Sequence, residues 1–145
     1  MVEGQPRGRK LRVTLDRVQI LETKEPFFKP FGEVRLRARV STRNNGGVVV
    51  ETTAPERGAY RVSTHPGRNV LELGVQIFED YVEDHLDVEL MAIEVDRFTA
   101  DEAYQKYRRI HRGAEALSGL FGPDEEILDP EELPDWRVWY RIEEV

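Results

Sequence analysis

The stretch "EVRLRARVS" alternates residue by residue, with Val34, Leu36, Ala38 and Val40 on one side and Arg35, Arg37 and Arg39 on the other. Period two is the mark of a strand with one face on a core and one face in water. The pattern recurs along the chain. "KLRVTLDRVQI" alternates at Leu11, Val13 and Leu15 and resumes out of phase at Val18 and Ile20. A bulge near Asp16–Arg17 restores the facing. "NNGG" at 44–47 is a turn, "VVVETT" a strand, "APERG" a turn, "AYRVS" a strand and "HPG" a turn. In "NVLELGVQIFE", Leu71, Leu73, Val75 and Ile77 share a face. After the acidic turn "EDYVEDH", "LDVELMAIEV" is apolar on both faces, as a central strand is. "DWRVWYRIEE" ends the series with Trp136, Val138, Tyr140 and Ile142 inward.

These segments predict a mainly β chain, an antiparallel sandwich of about seven to eight strands. One stretch changes period. Ala103, Tyr107, Ile110, Ala114 and Leu117 are spaced four, three, four and three, a single helical stripe. It predicts one α-helix between Thr99 and Gly119, inserted before the last strand. Thr99 and Glu102 have capping-box spacing, and Asp101 suits the positive end of the helix dipole.

At 145 residues the chain is read as one domain, 1–145, with a flexible N-terminus over 1–9 and an acidic loop over 122–135. No run is long and apolar enough to span a bilayer, and the first residues do not resemble a signal peptide, so the expected location is cytoplasmic. With no cysteine there is no disulfide framework and no thiolate chemistry. A net charge of −7 disfavours nucleic acid, which needs a basic footprint. The charge is uneven: "PDEEILDPEELPD" carries seven acids and no base, whereas arginines crowd residues 35–43.

Enzyme chemistry finds little support. His65 and His85 fall in expected turns and His111 in the expected helix; only His85, beside Asp84 and Asp87, approaches an acid–base pair. No phosphate-cradling loop is present. A hydrolase is therefore the last of three readings.

Four acids, Glu94, Asp96, Asp101 and Glu102, gather where the strand "LMAIEV" meets the expected helix. The helix start accounts for Asp101 and Glu102, leaving Glu94 and Asp96. The segment "LDVELMAIEVDRFTADE" resembles the C2 domain, a calcium- and phospholipid-binding β-sandwich in which a hydrophobic strand ends in an acidic loop. The resemblance covers about residues 10–100. It implies a cation cluster of Glu94, Asp96 and Asp101. The other contributing loop, "ETKEPFFKPFGE", offers Glu22, Glu25 and Glu33 but no aspartate, so weak calcium binding at most is expected and no other cofactor.

Two surfaces suit a partner. Phe27, Phe28 and Phe31 in a proline-bracketed loop form an apolar anchor or membrane tip, or else plug the end of the sandwich. Arg35, Arg37 and Arg39 form a cationic face for an acidic protein or anionic lipid, unless neighbouring glutamates such as Glu72 neutralise it. The leading reading is a non-catalytic intracellular module that engages a partner protein or assembles with itself, the arginine face meeting the acidic loop. The alternative is calcium-assisted docking on anionic membrane.

Overall fold

The computed structural model describes residues 8–21, 31–42, 47–63, 68–95, 102–113, 117–122 and 136–145. Ten strands run in order: β1 (Arg9–Ile20), β2 (Phe31–Thr42), β3 (Val49–Ala54), β4 (Tyr60–Ser63), β5 (Val70–Val82), β6 (His85–Glu94), β7 (Glu102–Ala103), β8 (Tyr107–Arg112), β9 (Gly119–Phe121) and β10 (Trp136–Glu144). All described pairings are antiparallel. One sheet has the order β5-β1-β10-β9. The other is centred on β2 and β6. Against β2 lie β3 and β4, pieces of one edge interrupted at 55–59; against β6 lie β7 and β8, pieces of the opposite edge. With the broken edges joined, each sheet has four strands.

The alternation read from sequence is what holds the sheets together. Val34, Leu36, Ala38 and Val40 of β2 are buried, as are Leu86, Val88, Leu90 and Ala92 of β6. Leu11, Val13, Leu15, Val18 and Ile20 of β1 meet them with Trp136, Val138, Tyr140 and Ile142 of β10 in one core cluster. Leu71, Leu73 and Val75 pack against its margin and Ile77 lies inside it. Burying a side chain of this size contributes roughly 1.5–3 kcal/mol. The N-terminal boundary moves: Arg9 is already in β1, opposite Val82, so the flexible start expected over 1–9 is too long by at least this residue.

The bulge expected near Asp16–Arg17 is present. Pairing with both β5 and β10 shifts between Leu15 and Arg17. On β5 the shift coincides with Gly74, whose φ of +63° is a left-handed conformation that an L side chain rarely adopts. Asp16 stands at the bulge with Oδ1 3.5 Å from Nε of Arg141. Burial raises its pKa above the ordinary carboxylate value, and Arg141 opposes that rise.

The helix is a correction. Among the described residues of its span, Glu102–Ala103 and Tyr107–Arg112 are strands, and none is α-helical. Glu102 pairs with Glu94 across β6–β7 instead of capping a helix; Thr99 and Asp101 lie outside the described residues. The physical reason is the identity of the inward residues. Tyr107 and His111 are buried, and Arg109 between them lies 4.9 Å over the Phe121 ring. Polar and aromatic residues at 107, 109 and 111 hide a period of two, so the apolar spacing that remains mimics a helix.

Those inward residues build a polar chain inside the core. Tyr107 and Tyr140 share a hydroxyl–hydroxyl hydrogen bond of 2.8 Å, and Nε2 of His111 lies 2.8 Å from the Tyr140 hydroxyl. The His111 ring meets Phe121 edge-on at 4.4 Å. In this way β8, β9 and β10 are tied across the two sheets.

Tyr140→Phe keeps the packing and deletes the shared hydroxyl, so it should lower stability by about 1–3 kcal/mol, read from urea midpoints. For Asp16 the sign follows from linkage. A raised folded pKa means the ionised form costs stability, fully above that pKa, and the cost fades as pH falls towards the unfolded value. The stability of Asp16→Asn relative to wild type should therefore be greatest near pH ~7 and decline towards pH ~3.5; a difference independent of pH would count against burial as the cause.

Candidate functional site

Because the inner face of β2 is fixed by Val34, Leu36, Ala38 and Val40, the arginines between them must face outward. The register then sets their neighbours. Arg39 is opposite Glu51 of β3 and Glu89 of β6, and Glu89 is opposite Arg108 of β8. The result is a transverse row of alternating charge, Glu51–Arg39–Glu89–Arg108, across four strands. Arg39 Nε lies 3.6 Å from Glu51 Oε1 and its Nη1 lies 3.8 Å from Glu89 Oε2. Arg108 Nε is 3.6 Å from Glu89, and this guanidinium also donates to both oxygens of Asp87 at 3.2 and 2.8 Å.

The adjacent row differs. Arg37 stands opposite Thr53 and Met91, with no acid on either neighbouring strand position. Lys106, in the connection between β7 and β8, lines the same surface beyond Met91. Both cations are exposed. Among the described residues neither Arg37 nor Lys106 has an ion-pair or hydrogen-bond partner. Together with Arg39, Glu51, Thr53, Glu89 and Met91 they line an open groove of about 440 Å³ on the outer sheet face.

The arginine row therefore divides. Arg35 donates from Nε to the Gly58 carbonyl at 2.8 Å, bracing the turn between β3 and β4. Arg39 is neutralised by glutamates, and Arg37 has no partner among the described residues. The pairing glutamates are Glu51 and Glu89; Glu72 belongs to the other sheet, where it approaches Arg17 at 3.6 Å. Sequence reasoning misses Lys106, Glu51, Glu89 and Met91. Glu51 and Glu89 are legible as outward positions of alternating strands, but Lys106 falls within the expected helix.

The cation cluster is placed only in part. Glu94 ends β6 at 2% exposure, and Tyr104 donates its hydroxyl to Oε2 at 2.9 Å. Asp96 and Asp101 lie outside the described residues. Among the described residues no three acids or histidines converge as a metal site. Phe27 and Phe28 are also outside; Phe31 opens β2 with its backbone in register with Ser63. His85 and His111 are corrections: both are buried on strands, not in a turn or helix. No described helix is long and apolar enough to cross a membrane.

Solved structures match this sandwich nearly end to end. A C2 domain of plant extended synaptotagmin 1 is similar over 95% of this chain and 94% of its own, with a TM-score of 0.53 and 9% identity. The chain has a C2-like fold. A second similar structure belongs to work on CC2D1B, which coordinates ESCRT-III activity during mitotic reformation of the nuclear envelope; it gives a TM-score of 0.52 at 8% identity. There the match covers 97% of this chain but 57% of the other. No family model and no curated protein matches the sequence. At such identities the likeness concerns the backbone. The row of Arg37, Met91 and Lys106 is a property of this C2-like chain's own residues.

The division among the cations can be measured. Arg37→Ala and Lys106→Ala should each change stability by less than about 0.5 kcal/mol, as substitutions away from structural contacts do. Asp87→Ala removes the two carboxylate oxygens to which Arg108 donates, leaving Glu89, and should cost more, about 1 kcal/mol, by thermal or chemical denaturation.

Proposed function

We propose that this C2-like domain is a non-catalytic binding module that holds an extended acidic segment of a protein in the groove over β2, β6 and β8. The observation that carries the reading is Arg37 and Lys106 flanking Met91 with no acid among the described residues to neutralise them. Cations already paired at Glu51, Glu89 and Asp87 have little left to offer a ligand. The two without partners among the described residues gain counter-charges on binding. Met91, half-buried between them, gives a ligand apolar contact. Thr53 offers a hydroxyl at the edge. A concave groove with cations on opposite sides suits a chain laid along it. Charge sets the rate of encounter, and the apolar floor slows release.

The test is titration of the isotope-labelled domain with a short synthetic peptide rich in glutamate and proline, followed by amide NMR. Shifts should concentrate on β2, β6 and the 104–106 connection, and weaken as salt rises above ~0.15 M, where the Debye length falls below roughly 8 Å. Arg37→Glu with Lys106→Glu should abolish them. Phosphatidylserine vesicles form the competing arm. Vesicle binding without peptide binding, or shifts that survive the double reversal, would overturn the reading.

A further inference from the structure

Resting on that reading, we propose that the segment recognised by the groove is residues 123–135 of a second copy of this chain, so that two copies dock reciprocally. The first ground is charge. The segment has seven acids and no base, and the groove has two cations without partners among the described residues. The second is spacing. Arg37 and Lys106 lie on either side of β6, separated by two strand intervals, or roughly 10 Å. In the segment, Glu126, Asp129, Glu132 and Asp135 recur every third residue, among Pro123, Pro130 and Pro134. A proline-bearing chain in the polyproline II form has three residues per turn and rises roughly 3.1 Å per residue, which aligns every third side chain at about 9 Å. Consecutive acids of that row would match the two cations in turn.

The third ground is the place of the segment in the chain. It joins Phe121–Gly122 to Trp136, and the strands at both ends, β9 and β10, belong to the sheet opposite the one that bears the groove. The segment is thus rooted on the sheet opposite its own groove, which separates the two surfaces within one copy and favours contact between copies. Reciprocal docking of two copies makes the same contact twice about a two-fold axis, which closes the assembly at a dimer. The remaining acids, Asp124, Glu125 and Glu131, fall off the three-residue row.

The experiment uses the full chain in sedimentation velocity over a concentration series. Wild type should move from monomer to dimer. Two variants should each stay monomeric at concentrations where wild type dimerises: the groove variant Arg37→Glu with Lys106→Glu, and the segment variant Asp129→Lys with Glu132→Lys. Mixed, they should form a one-to-one heterodimer, since the groove variant's intact segment meets the segment variant's intact groove. That dimer should be weaker than wild type by roughly tenfold or more, having one contact instead of two. A wild-type chain that is monomeric throughout overturns self-recognition. If the unrelated acidic peptide still binds, the binding-module reading survives that result; if it does not, both readings fall. Dimers that persist in both variants alone would also overturn the proposal. Circular dichroism of each variant checks that the sandwich is intact.

Discussion

The pairing of β2 with β6 is the constraint on which the rest of this structure depends. Its register places Val34, Leu36, Ala38 and Val40 beside Glu94, Ala92, Leu90 and Val88, all buried. A slip by one residue would turn three arginines into the core and expose the valines. Desolvating even one unpaired guanidinium costs several kcal/mol, so the slipped state is strongly disfavoured. The same register that excludes it aligns Arg39 with Glu89 and Arg37 with Met91 on the outer face. Core and groove are thus two sides of one choice.

Most of the sandwich can be read from the chain because its strands obey a simple rule, aliphatic inside and polar outside. β2 follows the rule from Glu33 to Ser41. β1 breaks it once, at Asp16, and the break itself marks the bulge. The rule fails where inward positions are filled by residues that carry both ring and polar atoms. Along β8 these are Tyr107, Arg109 and His111, which reach Tyr140 and Phe121 on the opposite sheet. A one-dimensional pattern scores such residues as surface. In three dimensions they satisfy each other across the core, so the strand passes for a helix in the sequence. The error propagates to the site, because Lys106 sits in the connection just before that strand.

The groove is half legible for a related reason. Alternation gives the facing of every residue on β2 but not its partners, which depend on strand order. Glu72 is an outward glutamate on a neighbouring-looking strand, yet β5 lies in the other sheet beside β1. Only the order β3-β2-β6 brings Glu51 and Glu89 to Arg39 and leaves Arg37 opposite Thr53 and Met91. The distinction between a neutralised arginine and an available one is therefore topological. It requires both sheets to be known.

A net charge of −7 poses a last question: how can a negative chain attract an acidic one? The answer lies in range. At 0.01 M salt the Debye length is roughly 30 Å, comparable to the domain, and a ligand feels the summed negative field. At 0.15 M it is roughly 8 Å, and most of the distant acids are screened out. A ligand within the groove then experiences chiefly Arg37, Lys106 and the already balanced row beside them. Many of the molecule's acids are further muted by partners of their own, as Glu79 is by Arg12 and Lys10, and Asp16 by Arg141. Global repulsion and local attraction thus act over different lengths, and physiological salt favours the local one. Charge counted over the whole sequence disfavours a nucleic-acid footprint, but it does not describe a surface only a few side chains wide.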